Sequence, residues 1–236
     1  MSGWSNTASR VAVVTVGVLA LGTIGSARAV RSLHAAAAGP QVVSPNEKVL
    51  RGRMLVISHD CGGCHNGGSD PSSKNWLIGV NGPGQEFLIG PCRVDPAAKP
   101  CFHTRPRNLT PDNTTGLGRF AERQIFNALR YGLRPGETPD VEITSTTPGV
   151  GNFPAHPRYL AAPMPWPSWR HMSDDDLWAI AAYLKQGVKP VHNRVEDSEG
   201  PPDFWASEYT PEKIGTYPAP PFPAASERMP MAAGQR

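Results

Sequence analysis

Two cysteines separated by two glycines, with a histidine directly after the second, constrain this chain more than any other feature. The residues are Cys61, Cys64 and His65. The C-x-x-C-H spacing fits a dithiol redox centre, half of a zinc site, or a haem bound covalently through both thiols with the histidine on its iron. The intervening Gly62 and Gly63 are interpreted as spacers. The rest of the chain has to decide between the three chemistries.

The N-terminus bears on this choice because it predicts export. Residues 1–10 are polar with one arginine and no acid, and residues 11–25 form an uncharged apolar run. Ala27 and Ala29 then give the small-x-small pattern of a signal peptidase site, which completes a secretory signal peptide over residues 1–29. An uncleaved membrane anchor stays open, although the run is shorter than the roughly 20 residues that span a bilayer. We expect an exported, periplasmic protein, in which membrane association through a partner or the N-terminal segment is an alternative.

Charge and composition limit the possible partners and the size of the core. The formal net charge is +3, and residues 1–29 contribute two arginines and no acid, so the mature chain carries +1. Nucleic-acid binding requires a clustered basic face, so we expect no nucleic-acid partner. The 26 prolines and 24 glycines among 236 residues predict a small core with long loops.

Three helices are predicted from capping signals and hydrophobic periodicity. The first begins after Ser44, which forms a capping box with Glu47, and runs into Cys61. The second covers roughly residues 120–131, and the third begins after Ser173. The chain is therefore predicted to be mostly α. A thioredoxin-type dithiol instead opens a helix that follows a strand, which argues against that chemistry here.

The two remaining cysteines bear on the zinc interpretation. Cys92 and Cys101 lie nine positions apart, and in an exported protein such a pair most simply forms a disulfide. A zinc site would need two further close ligands, so zinc is disfavoured. Basic residues in and after this insert allow it to be a partner-docking element or to neutralise a haem propionate: Arg93, Lys99, His103, Arg105 and Arg107.

A covalent haem needs a second axial ligand, for which methionine is the usual choice in electron transfer. Met164 has a proline on each side, which fixes an extended backbone suited to presenting its sulfur. Met172 is more easily interpreted as a hydrophobic contact at the start of the last helix. His156 and His171 are the candidates for the bis-histidine alternative.

Four stretches of the chain together resemble one known family: VLRGRMLVISHDCGGCH, RNLTPDNTTGLG, ALRYGLRP and MPWPSWRHMSDDDLWAIAAYLK. They resemble the class I cytochrome c fold, and in particular the cytochrome c domains of bacterial membrane-bound dehydrogenases. The resemblance covers roughly residues 47–195. It implies a first and a last helix that cross around one covalent haem c, with a contact between Gly52 and Tyr183.

Composition divides the rest of the chain, and the resemblance implies the haem attachment and iron ligands, to which we add three candidate pocket residues. A linker (30–43) precedes a cytochrome c domain (44–195), and a proline-rich C-terminal extension (196–236) follows it. The expected haem residues are Cys61 and Cys64 as thioethers, His65 and Met164 as axial iron ligands, and Asn108, Trp166 and Arg170 in the haem pocket.

The expected function is outer-sphere electron transfer by a single haem, without a catalytic activity of the chain's own. The partner would be a dehydrogenase or respiratory complex. Dehydrogenase cytochrome subunits often carry several haem motifs, whereas this sequence has one. Two alternatives stay open: a haem enzyme or small-ligand sensor with an opening distal site, and a structural subunit whose haem is incidental.

Overall fold

The computed structural model describes residues 44–199 and 225–228. The predicted signal peptide and linker, and most of the predicted extension over residues 196–236, lie outside the described residues. No helix within the described residues is long and apolar enough to cross a membrane.

The described residues form five helices and one small sheet. In chain order the elements are α1 (Pro45–Ser58), α2 (Cys61–His65), β1 (Phe87–Ile89), β2 (Phe102–Thr104), α3 (Glu122–Tyr131), α4 (Trp166–Trp169) and α5 (Asp174–Ala182), which continues as a wider π-helical turn over Tyr183–Gly187. The three predicted helices are present. The prediction of a mostly α chain needs one correction, because β1 and β2 pair into an antiparallel sheet.

Helix α1 begins as predicted and ends earlier than predicted. The Ser44 hydroxyl accepts a hydrogen bond from the Glu47 amide at 3.2 Å, and the Glu47 carboxylate accepts from the Ser44 amide at 2.9 Å. This capping box satisfies amides that would otherwise lack a partner. The helix stops at Ser58 because Asp60 adopts a left-handed backbone with φ of 50°. The cysteine motif therefore forms a separate helical turn, α2.

Helices α1 and α5 cross in backbone contact at Gly52. A β-carbon at Gly52 would lie 1.9 Å from the Ala179 carbonyl oxygen and 2.7 Å from the Tyr183 β-carbon. The contact predicted between Gly52 and Tyr183 is thus present. The Tyr183 hydroxyl also accepts a hydrogen bond from the Trp76 indole at 3.1 Å. The crossing forms the centre of the main hydrophobic core, in which Val56 and Leu177 are fully buried.

The insert between the first two predicted helices is a closed hairpin. Strands β1 and β2 pair with Phe87 opposite Thr104, and the predicted disulfide between Cys92 and Cys101 is present beyond them. Three-residue strands are too short to produce a detectable alternation in sequence, which explains why the hairpin was not predicted. The hairpin leads directly into residues 104–109, which form one wall of the site described below.

Helix α3 packs on α5 and ends where its sequence indicates. Phe126 stacks on Trp178 of α5 with 4.6 Å between ring centroids. Gly132 terminates the helix in a left-handed conformation with φ of 69°, and the Trp166 ring lies where a β-carbon of Gly132 would be. Helices α3 and α5 thereby supply part of the wall of the candidate site, through Ile125, Leu129 and Ile180.

Candidate functional site

A cavity of about 560 Å³ contains most of the side chains that the sequence nominated. Its lining includes Cys61, Cys64 and His65 from α2, Asn108 from the loop after β2, and Met164 from the proline-flanked loop before α4. These residues come from segments separated by up to about a hundred positions in sequence. The fold therefore assembles them into one site, whose volume lies in the range typical of cofactor pockets.

Trp166 and Arg170 are not among the residues that line this cavity. Trp166 is fully buried and stacks on Tyr159 with 5.7 Å between ring centroids. Arg170 is also buried, and its Nε donates a hydrogen bond to the Pro167 carbonyl at 3.2 Å. The structure thus places both residues in the packing around α4.

The His65 ring is oriented by a backbone carbonyl. Its Nδ1 lies 2.7 Å from the Arg107 carbonyl oxygen. Because a carbonyl oxygen can only accept, Nδ1 carries the proton, and Nε2 keeps an unshared pair that can bind a metal. Burial lowers the pKa of His65 below its ordinary value, against a smaller opposing effect of the Arg107 hydrogen bond. The ring is therefore neutral, which is the form that binds iron.

The two thiols of the motif are not activated for redox exchange. Cys61 is buried and Cys64 is exposed, and neither forms a disulfide. Burial, with a further contribution from the charge of Asp60, raises the pKa of Cys61 to about 12. The pKa of Cys64 is raised by the same two causes. A dithiol oxidoreductase requires a lowered thiol pKa, so these surroundings do not suit that chemistry.

The two thiols that could have completed a zinc site are not available. Cys92 and Cys101 are bonded to each other, so neither is available to the C-x-x-C pair. Within residues 44–199 and 225–228 no group of three or more histidine, cysteine, aspartate or glutamate side chains is arranged to hold a metal ion.

The interpretation of Gly62 and Gly63 as spacers is wrong for Gly62. A β-carbon at Gly62 would lie 2.1 Å from the Gly68 carbonyl oxygen and 2.5 Å from the Trp76 ring. At Gly63 the three nearest atoms would all belong to the Asp60 side chain, whose carboxylate can rotate more easily than backbone or an indole ring can shift. The motif spacing carries no sign of this difference, because the contact depends on how the following loop folds back.

Three of the arginines at the cavity were not predicted from the sequence to lie there. Arg119, Arg134 and Arg158 line it together with Arg105 and Arg107. Burial and the neighbouring Arg158 charge lower the pKa of Arg134 below its ordinary value. Guanidinium groups gathered in this way favour an anionic ligand, because a carboxylate would relieve their mutual repulsion. Arginine spacing alone could not reveal the cluster, since its members come from separate loops.

The residues present fit a covalent haem. The cavity offers an imidazole nitrogen and a thioether sulfur as ligands, two thiols for attachment, and arginines for the propionate carboxylates. The remaining walls are largely apolar, with Leu109, Leu117, Phe120, Ile125 and Leu129 among them. Such walls suit the apolar faces of a porphyrin and exclude water from its iron.

Comparison with known proteins also identifies haem proteins, the cytochrome subunits of dehydrogenases, as similar to this chain. No family model matches the chain. It is 32% identical over 154 residues, 65% of its length, to the gluconate 2-dehydrogenase cytochrome c subunit of Pantoea cypripedii. It is 29% identical over 143 residues, 61% of its length, to the fructose dehydrogenase cytochrome subunit of Gluconobacter japonicus. Over 84 residues, 36% of its length, it is 34% identical to the cytochrome c subunit of the quinone alcohol dehydrogenase of Gluconacetobacter polyoxogenes.

These matches confirm the predicted resemblance: the homologues of this chain are cytochrome c subunits of dehydrogenases. The matched regions span 26%, 22% and 14% of the three relatives. The chain thus corresponds to about a quarter or less of each curated relative.

Proposed function

We propose that this chain is an exported c-type cytochrome with one covalent haem, which transfers electrons as a subunit or partner of a membrane-bound dehydrogenase. In this proposal residues 44–195 adopt the class I cytochrome c fold and residues 196–236 extend over its surface. The observation that carries the proposal is the single cavity lined by Cys61, Cys64, His65 and Met164. The dehydrogenase partner is inferred from the names of the relatives.

Each part of the site has a role in this function. The haem, when bound, supplies an iron that cycles between ferric and ferrous states. Cys61 and Cys64 would hold it through thioether bonds, and His65 and Met164 would bind its iron from the two sides. Arg119 and Arg134 would bind the propionates, since the ion pairs of the other cavity arginines engage them with acidic side chains of the chain itself. Asn108 would contribute a polar contact in the pocket. A soft thioether ligand raises the reduction potential, which suits an electron acceptor.

The alternative is a haem enzyme or small-ligand sensor, which needs an open or opening distal site. Met164 lines the cavity, so a thioether is available to occupy that position. His65 and Met164 together would hold the haem and leave no place on it for a substrate, so the haem would supply electron transfer alone. This favours an electron carrier. The property to measure is therefore whether Met164 binds the iron or the position is open to an added ligand.

The test uses the full chain expressed with a haem-attachment system. We expect one haem per polypeptide, a mature N-terminus at Val30 in the periplasmic fraction, and a six-coordinate spectrum that carbon monoxide leaves unchanged. Met164→Ala should abolish the methionine–iron charge-transfer band and lower the potential, while Met172→Ala, the matched control, keeps both. A wild-type protein that binds carbon monoxide readily would favour the enzyme or sensor. Retention of the band in Met164→Ala would place the ligand elsewhere.

A further inference from the structure

Residues 191–199 form a strap that follows residues 103–108; we call it the C-terminal strap. The Glu199 amide donates to the His103 carbonyl at 2.9 Å, and the Arg105 amide donates to the Ser198 hydroxyl at 2.9 Å. These two hydrogen bonds attach the end of the strap to the chain immediately before Arg107. The strap is thus bonded to the same segment that supplies the acceptor for His65.

Two arginine side chains strengthen this attachment. The Arg105 guanidinium donates to the Asp197 carbonyl at 2.7 Å, to the Glu199 carboxylate at 2.8 Å and to the Glu86 carboxylate at 2.8 Å. Its side chain is only 15% exposed, so these charge-assisted bonds are partly shielded from solvent. The Arg107 guanidinium donates to the Asp197 carboxylate at 2.6 Å. Both side chains therefore bridge the segment to the strap.

The other end of the strap is anchored beyond Arg107. The Asn108 amide group donates to the Val191 carbonyl at 2.8 Å. Asn193 donates to the carbonyls of Ile78 and Val80, at 2.7 and 2.9 Å. Arg107 consequently lies between two residues, Arg105 and Asn108, that are each bonded to the strap. The strap therefore holds the chain on both sides of the carbonyl that contacts the His65 ring.

We propose that the C-terminal strap positions the axial histidine, with Arg105 as its main positioning residue. This proposal rests on the proposed function, since it assumes iron at His65. The strap holds Arg107 so that its carbonyl fixes the tautomer and orientation of the His65 ring. A hydrogen bond from Nδ1 to a carbonyl makes the imidazole a stronger electron donor, which stabilises ferric iron and lowers the reduction potential. Loosening the strap should therefore raise the potential.

The test compares two full-chain holoprotein variants, Ser198→Ala and Arg105→Gln. In each reduced protein, nuclear magnetic resonance follows exchange of the His65 Nδ1 proton, and redox titration gives the midpoint potential. We expect exchange to be about fivefold faster, equivalent to about 1 kcal/mol or one hydrogen bond, together with a higher potential. Loss of a nearby positive charge alone would lower the potential, so a rise in Arg105→Gln is not a charge effect. Ser198→Ala changes no charge.

Arg51→Gln is the matched control, because Arg51 pairs with Asp176 on the helices and makes no contact with the strap. It should leave both the ring-proton exchange and the potential at their wild-type values. Intact haem with unchanged exchange and potential in Ser198→Ala and Arg105→Gln would overturn the strap's role and leave the proposed function standing. A wild-type chain without covalent haem would overturn both.

Discussion

At the scale of single residues, the two glycines of the cysteine motif differ in what they contact. Gly62 packs against the Gly68 carbonyl and the Trp76 ring, whereas the atoms nearest to a β-carbon at Gly63 belong to the Asp60 side chain. Both occupy the variable positions of the same C-x-x-C spacing. Substitution at Gly62 is thus limited by backbone and an indole ring. At Gly63 the nearest obstacle is a side chain.

We expect Gly62→Ala to destabilise the protein and Gly63→Ala to be tolerated. The added methyl group at Gly62 has to displace backbone and an indole ring, which costs about 1–3 kcal/mol in a packed interior. Thermal unfolding and haem content of the two variants, expressed side by side, measure the effect. Equal stability of both variants would show that the backbone at Gly68 can shift to accommodate the methyl group without measurable cost.

The predicted haem residues also show what can and cannot be predicted at this scale. Met164 follows from its proline-flanked loop, and the structure brings it to the same cavity as His65. Trp166 and Arg170, nominated for the pocket, do not line it, because α4 turns both into its own packing. A four-residue helix cannot be oriented from sequence, since so short a segment has no periodicity to indicate its buried face.

At the scale of secondary-structure elements, the crossing of α1 and α5 organises the molecule. Gly52 allows the two helices to approach until a β-carbon would lie 1.9 Å from the Ala179 carbonyl oxygen. We expect Gly52→Ala to lower the free energy of unfolding by about 3 kcal/mol, the upper end of the usual cost of overpacking, because the helices must separate. Gly82→Ala is the control, since nothing lies within 4 Å of a β-carbon there. Urea denaturation of both variants measures the difference, and equal losses would contradict the argument.

An ion pair adds a pH-dependent contribution to the same crossing. Arg51 of α1 donates to Asp176 of α5 at 2.6 Å, and this hydrogen bond is the main cause of the lowered pKa of Asp176. A carboxyl group whose folded-state pKa is lowered stabilises the fold above its ordinary value of 3.8 and loses that contribution as the pH falls through the lowered value.

We therefore expect wild type to be more stable than Arg51→Gln near neutral pH, by a modest amount because Arg51 is 54% exposed. The difference should shrink as the pH falls below about 4, where Asp176 begins to be protonated in the unfolded chain, and it should vanish below the lowered pKa of the folded state. Urea unfolding at a series of pH values measures it. A difference independent of pH would mean that Arg51 acts through its aliphatic chain.

The helices were predictable where local signals and packing agree, and not elsewhere. Ser44 with Glu47 and Ser173 with Asp176 form caps that depend on neighbouring residues only. The hairpin of β1 and β2 depends on pairing across an insert, and the arginine cluster depends on loops that meet only in the folded chain. Such contacts between distant segments carry no local pattern.

At the scale of the whole molecule, the hairpin is closed twice, by its sheet and by the Cys92–Cys101 disulfide. Because the loop it closes is short, the chain-entropy model limits its contribution to less than about 3 kcal/mol. We expect the double variant Cys92→Ser/Cys101→Ser to unfold at lower temperature and to keep its haem spectrum. Thermal unfolding of wild type and the double variant, with the iron of both kept in the same oxidation state and no reductant added, checks this. A changed axial-ligand spectrum would show that the hairpin also shapes the cavity.

The crossing of α1 and α5 has a consequence for how such a chain is made. Arg51 and Asp176, which join at this crossing, are 125 residues apart. A contact between residues so distant in sequence forms late, because the entropy of closing a long loop is lost before the contact adds any stability. Under the proposed export, α1 has no partner until the chain through α5 has crossed the membrane. Under the same proposal Cys61 stays outside any core until then, so thioether formation would be open to a chain that has not yet collapsed around its haem.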